Sequence, residues 1–75
     1  MKYTSIIAPN VYAYNQLINI IKFDNPHYII HEDSLRGIPF GSLLVILNKS
    51  QFGRLDWLYK HIAVKDLQVM EITYE

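Results

Sequence analysis

Seventy-five residues make one domain with one core, and a chain this short buries only about 60–65% of the surface its unfolded form exposes. Apolar residues are 51% of the chain, including six Tyr, three Phe and one Trp, so part of that surface is expected to face a partner, a second copy or another protein. Seven basic residues balance seven acidic ones without clustering, which argues against nucleic acid as the main partner, and the absence of cysteine excludes disulfides, thiolate metal sites and a cysteine nucleophile.

The segment Met1 to Pro9 carries a single charge and too short an apolar run for a signal peptide. No stretch approaches the ~20 apolar residues of a membrane helix. The expectation is a cytoplasmic protein without a membrane anchor.

Tyr3 to Ala8 has the β-branched and aromatic content of a first strand, and Pro9 ends it. Asn10 is placed to cap a helix. On a wheel begun at Val11, Val11, Ala13, Tyr14, Leu17, Ile18, Ile20 and Ile21 share an apolar half, while Tyr12, Asn15, Gln16, Asn19, Lys22 and Phe23 take the other. Asn25-Pro26 stops the helix, and His27 to His31 reads as a short second strand.

Leu43 to Leu47 has no polar alternation, as in a central strand covered on both faces. A second helix is predicted from about Ser50 to Ile62, with Phe52, Leu55, Leu58, Tyr59 and Ile62 inward and Arg54, Trp57, Lys60 and His61 outward. Leu67 to Tyr74 alternates as a last strand. The order β-α-β-β-α-β, in a single domain, fits two folds. One is a small, mostly parallel α/β sheet with two helices, in which residues 33–41 form a crossover. The other is an α+β ferredoxin-like sheet, in which they form a hairpin. The doubly apolar Leu43 to Leu47 favours the first, and the short link favours the second.

Asp33-Ser34-Leu35-Arg36-Gly37-Ile38, the strand Leu43 to Leu47, and Arg54-Leu55-Asp56-Trp57-Leu58-Tyr59 resemble a class of small bacteriophage-encoded α/β proteins. These carry a Leu-Arg-Gly element and look like stripped-down P-loop nucleotidases. The resemblance spans residues 28–60 and implies the parallel sheet. It also implies that nucleotide chemistry has gone. A phosphate-binding turn needs glycines and a Lys-Ser or Lys-Thr pair, and Ala8-Pro9-Asn10-Val11-Tyr12 stands in its place. A magnesium-holding carboxylate should follow the apolar strand, where Asn48 stands.

His27 and His31 share a strand face but lie ~13 Å apart along it, too far to chelate one ion. No serine sits in a nucleophile elbow. No metal and no cofactor is therefore expected, and no catalytic residue. Arg36 is the candidate for an anionic ligand such as a nucleotide signal, against the plainer role of pairing with Glu32 or Asp33. Gly37 and Gly41 are expected to serve backbone turns.

Two surfaces are candidates for partner binding. Arg54, Trp57 and His61 fall at i, i+3 and i+7 on one stripe of the second helix, and Trp and Arg are enriched at binding hot spots. Tyr12, Asn15, Gln16 and Asn19 make an uncharged outer face on the first helix, joined by Phe23, where a solvated helix would carry Lys and Glu. The leading expectation is a non-catalytic phage-type accessory protein that binds and inhibits or redirects a host bacterial protein. The alternatives are a small-ligand binding or sequestering protein and an oligomerising scaffold domain.

Overall fold

The computed structural model describes residues 3–53 and 55–73; Arg54 and Tyr74 lie outside the described residues. The strands with least polar character take the middle of the sheet. β1 (Thr4–Ile7) is buried at every position and β3 (Leu43–Leu47) at all but Leu43. β1 pairs with β3 in parallel, Thr4 beside Leu43 and Ile7 beside Ile46. Outside them lie β2 (Pro26–Tyr28), parallel to β1, and β4 (Gln68–Ile72), parallel to β3. The sheet order is β2-β1-β3-β4, so the doubly wound α/β arrangement is the fold and the ferredoxin-like hairpin is not.

α1 (Val11–Ile20) connects β1 to β2 and α2 (Asp56–Lys65) connects β3 to β4. Because β2 and β3 flank β1 on opposite sides, residues 29–42 must pass over β1. They do so with one 3-10 turn, Glu32–Leu35, and press Leu35 and Ile38, 0% and 3% exposed, onto the sheet. β2 stops at Tyr28 instead of running to His31, which lends Ile29 to Glu32 to the crossover and makes the short link long enough.

Strand alternation sends side chains to two cores. Ile7, Leu44 and Ile46 join Leu35, Ile38, Leu55 and Leu58 under α2 and the crossover. Ile6, Val45 and Leu47 join Leu17 of α1. Tyr14 of α1 stacks on Tyr28 of β2, with centroids 4.9 Å apart.

Both helices are shorter than their apolar patterns. α1 ends at Ile20 and Ile21 is already extended at φ −117°. Its inward stripe is narrow: Leu17 is buried, Ala13, Tyr14 and Ile18 are half-buried, and Val11, Ile20 and Ile21, predicted inward, are exposed. α2 starts at Asp56, not Ser50, because Lys49–Gln51 form a separate 3-10 turn that unwinds at Phe52. Asn25, Asn48 and Asp66 take the left-handed region at φ 48°, 52° and 51°, each where an element begins or ends.

Candidate interaction surfaces

In a doubly wound sheet the usual ligand crevice lies outside the carboxyl ends of the strands where the connections diverge, here β1 and β3. β1 runs there into Ala8-Pro9-Asn10. The Asn10 side chain accepts a hydrogen bond from the Ala13 amide at 2.9 Å, so the first turn of α1 is capped from within. β3 ends at Asn48, 7% exposed, whose amide donates to the Ile72 carbonyl at 2.7 Å. Lys49 turns away to Glu71, 3.0 Å off, and lies 5.4 Å from the centre of the Tyr59 ring. Hydrogen bonding to Tyr59, then to Glu71, raises the pKa of its ammonium above the ordinary value. A phosphate placed in this crevice would meet a proline and an occupied helix end.

The outer face of α1 is where the sequence puts it. Tyr12 is 78% exposed, and Asn15, Gln16 and Asn19 are exposed beside it. No residue of Val11–Ile20 carries a charge, and Val11 and Ile20 add apolar area that the wheel assigns to the core. Phe23 does not join this face. It is half-buried and packs against the α1-side core, because the chain is extended beyond Ile20 and turns the ring back to the sheet.

The stripe on α2 is also different from its prediction. Trp57 is half-buried against the core that contains Leu35 and Ile38, and His61 is half-buried on the same flank. α2 shares its sheet face with the crossover and touches the 3-10 turn, so a side chain on that flank has a surface to cover. Tyr59, predicted inward, is 44% exposed toward Lys49.

Within Leu35-Arg36-Gly37, only Leu35 buries its side chain. Arg36 forms an exposed pair with Asp33 at 3.5 Å, the plainer of its two expected roles. Gly37 has no contact near a would-be Cβ and no positive φ, so no backbone requirement selects glycine there. Gly41, at φ +71°, is the turn glycine. The crossover is fastened by a residue that pattern reasoning missed. Lys65, in the last turn of α2, donates from Nζ to the carbonyls of Arg36 and Ile38, the latter at 2.9 Å, and its own carbonyl accepts from the Gly41 amide at 2.8 Å. The helix predicted to end at Ile62 runs on to Lys65, and a lysine in the sequence gives no sign of which carbonyls it will find.

At the amino ends of the strands lies an open groove of about 620 Å³, walled by Tyr3, Phe23, Phe40, Leu43 and Met70. Arg36 is not among its lining residues. Beneath the crossover, Ser5 Oγ and His27 Nε2 are buried without a hydrogen-bond partner among the described residues, in register on β1 and β2, with Tyr3 stacked on the imidazole at 4.1 Å. Among the described residues no group of three or more His, Asp or Glu is placed to hold a metal ion, and no helix is long and apolar enough to cross a membrane. The chain matches no family model, no curated protein and no solved structure.

Proposed function

We propose that this protein is a non-catalytic interaction module that binds another protein through the outer face of α1, in the manner of phage accessory proteins that inhibit or redirect a bacterial host protein in the cytoplasm. The observation that carries the reading is that face itself. Ten helical residues without a charge, with Tyr12 78% exposed and Val11 and Ile20 at 49% and 60%, depart from the Lys- and Glu-rich surface of a solvated helix. Uncharged polar side chains around an exposed aromatic ring match the composition of interface centres. The capped helix end and Pro9 at the ligand crevice agree with a role without nucleotide chemistry. The nucleotide-signal alternative loses support from Arg36, since Asp33 already faces its guanidinium.

The test is affinity capture from a bacterial lysate, followed by titration of the identified protein against the unaltered chain and against Tyr12→Glu/Asn19→Lys. The expected result is saturable binding weakened at least tenfold in the variant, with an unchanged melting temperature. Equal affinity of the two forms would remove α1 from the proposal, and no saturable partner would remove the proposal.

A further inference from the structure

We propose that two copies of this chain pair through the free edge of β4, antiparallel about a two-fold axis centred on Met70, to make one continuous eight-stranded sheet. The β4 edge and the outer surface of α1 are separate surfaces, so this proposal does not rest on the α1 reading. It starts from the backbone. The Gln68 amide donates to the Ser42 carbonyl at 3.0 Å and the Ile72 carbonyl accepts from the Asn48 amide at 2.7 Å, so these residues point their polar groups at β3. By the alternation of a parallel ladder Met70 does the same, and Val69 and Glu71 point N–H and C=O outward from the sheet. An extended chain is the shape that satisfies such a row.

The edge also lacks the devices that keep edges apart. Natural edge strands carry Lys, Pro, a bulge or great brevity. β4 spans Gln68 to Ile72 without Lys, Pro or Gly, and Val69 and Met70 are each 43% exposed on its two faces. Its one charge, Glu71, is drawn to Lys49 of the same chain at 3.0 Å. The opposite edge, β2, has three residues and begins with proline.

A second copy is the occupant that the strand itself fits. The outward groups of Val69 and Glu71 permit three symmetric antiparallel registers. Centring on Glu71 sets two carboxylates directly opposite each other, which destabilises. Centring on Val69 pairs Glu71 with Leu67, whose amide is already donated to the Ile62 carbonyl at 3.1 Å, and brings the carboxylate toward Asp66. Centring on Met70 pairs Val69 with the partner's Glu71 and Glu71 with the partner's Val69, forms four backbone hydrogen bonds from groups that are unused among the described residues, and opposes no like charges. It also sets Met70 against the partner's Met70 on the side where Leu43 and Ile72 lie half-exposed, so the apolar strip runs unbroken across the seam.

The chain has no cysteine, so single introduced thiols report the geometry directly. In the proposed register Met70→Cys places two thiols at a non-hydrogen-bonded antiparallel pair, where Cα atoms about 4.5 Å apart suit a disulfide. Under mild oxidation that variant is expected to cross-link at least tenfold faster than Tyr12→Cys. Gln68→Cys and Ile72→Cys are expected to cross-link slowly alone and quickly as an equimolar mixture. Sedimentation of the unaltered chain should show reversible dimers with a dissociation constant of about 10–100 μM, as a contact smaller than a standard interface implies. Val69→Pro, which removes an outward N–H, should abolish the dimer, and Val69→Lys should weaken it at least tenfold if the proline disturbs the fold. An unaltered chain that stays monomeric at about 0.5 mM, with Met70→Cys cross-linking no faster than Tyr12→Cys, overturns the proposal. So does faster cross-linking through Val69→Cys than through Met70→Cys, or capture of the edge by an extended peptide with no self-association.

Discussion

On one face of the sheet Leu44 and Ile46 lie beneath both α2 and the 29–42 crossover; on the other, Val45 and Leu47 share the single helix α1. The strands are the same, and the difference comes from chain direction. β1 to β2 steps one way across the sheet, whereas β2 to β3 and β3 to β4 step the other way. Right-handed crossovers that step in opposite directions lie on opposite faces, so one face receives one connection and the other receives two. The doubly covered face contains Leu35, Leu44 and Leu58 at 0% exposure. The singly covered face seals its central strands as well, with Ile6 and Val45 at 0%, but with one helix to do it, and that helix leaves Val11 at 49% and Ile20 at 60%. A four-stranded parallel sheet with three connections therefore covers its two faces unequally, two layers of chain on one and one helix on the other.

The sharpest way to break this comparison is to truncate one leucine on each face. Leu58→Ala is expected to cost about 3–5 kcal/mol and Leu17→Ala about 2–3 kcal/mol, measured by urea unfolding, because a cavity in a closed layer relaxes less than one in an open layer. Equal losses, or a larger loss at Leu17, would show that the crossover does not complete its face. Next in size is Lys65→Met, which keeps the stem and removes the ammonium from the Arg36 and Ile38 carbonyls. About 1–2 kcal/mol should be lost, with hydrogen exchange rising first in residues 36–42.

Ser5→Ala should move stability the other way. Its hydroxyl is buried on the doubly covered face without a partner among the described residues, and replacing an orphaned polar atom is neutral to stabilising by about 1 kcal/mol. Thermal melts would decide it; a loss near 1 kcal/mol would mean that the hydroxyl is satisfied in solution. Among the crossover glycines, Gly41→Ala is expected to cost about 1 kcal/mol for its left-handed φ, whereas Gly37→Ala should leave the melting temperature unchanged.

The smallest effect concerns Lys49, whose raised pKa reflects bonds to Tyr59 and Glu71. A group whose folded pKa lies above its unfolded value contributes stability that is complete below the unfolded value and fades as pH rises through the folded one. The melting temperatures of the native chain and Lys49→Met should thus differ most below pH 10.5 and converge above it. A difference that grows with alkalinity would contradict the assignment.

Much of this architecture was legible in the residues. The five apolar side chains of Leu43 to Leu47 place a strand between two covered faces, and Pro26 marks the turn into β2. Asn10 announces the cap that it makes. The uncharged side of α1 needed only a helical wheel. What periodicity could not tell was which flank of a helix would find a neighbour. Trp57 faces outward on the wheel, but it packs against a core that takes Leu35 and Ile38 from an irregular crossover with no period of its own. Phe23 is misplaced for a related reason, since the wheel continues past Ile20, where the backbone leaves the helix. The bare edge of β4 was hidden too, because alternation within a strand says nothing of how many neighbours it has.

The all-parallel pairing has a further consequence, for the chain as it folds. With no hairpin, no strand can find its neighbour until an intervening connection has been made. β3 is a run of five apolar residues, the composition that seeds intermolecular sheets when left unpaired, and its last neighbour, β4, arrives only after α2. Until β4 docks, Leu43–Leu47 presents a raw edge to other unfolded chains. Refolding from denaturant at rising protein concentration should therefore lose soluble yield without altering the finished protein's stability.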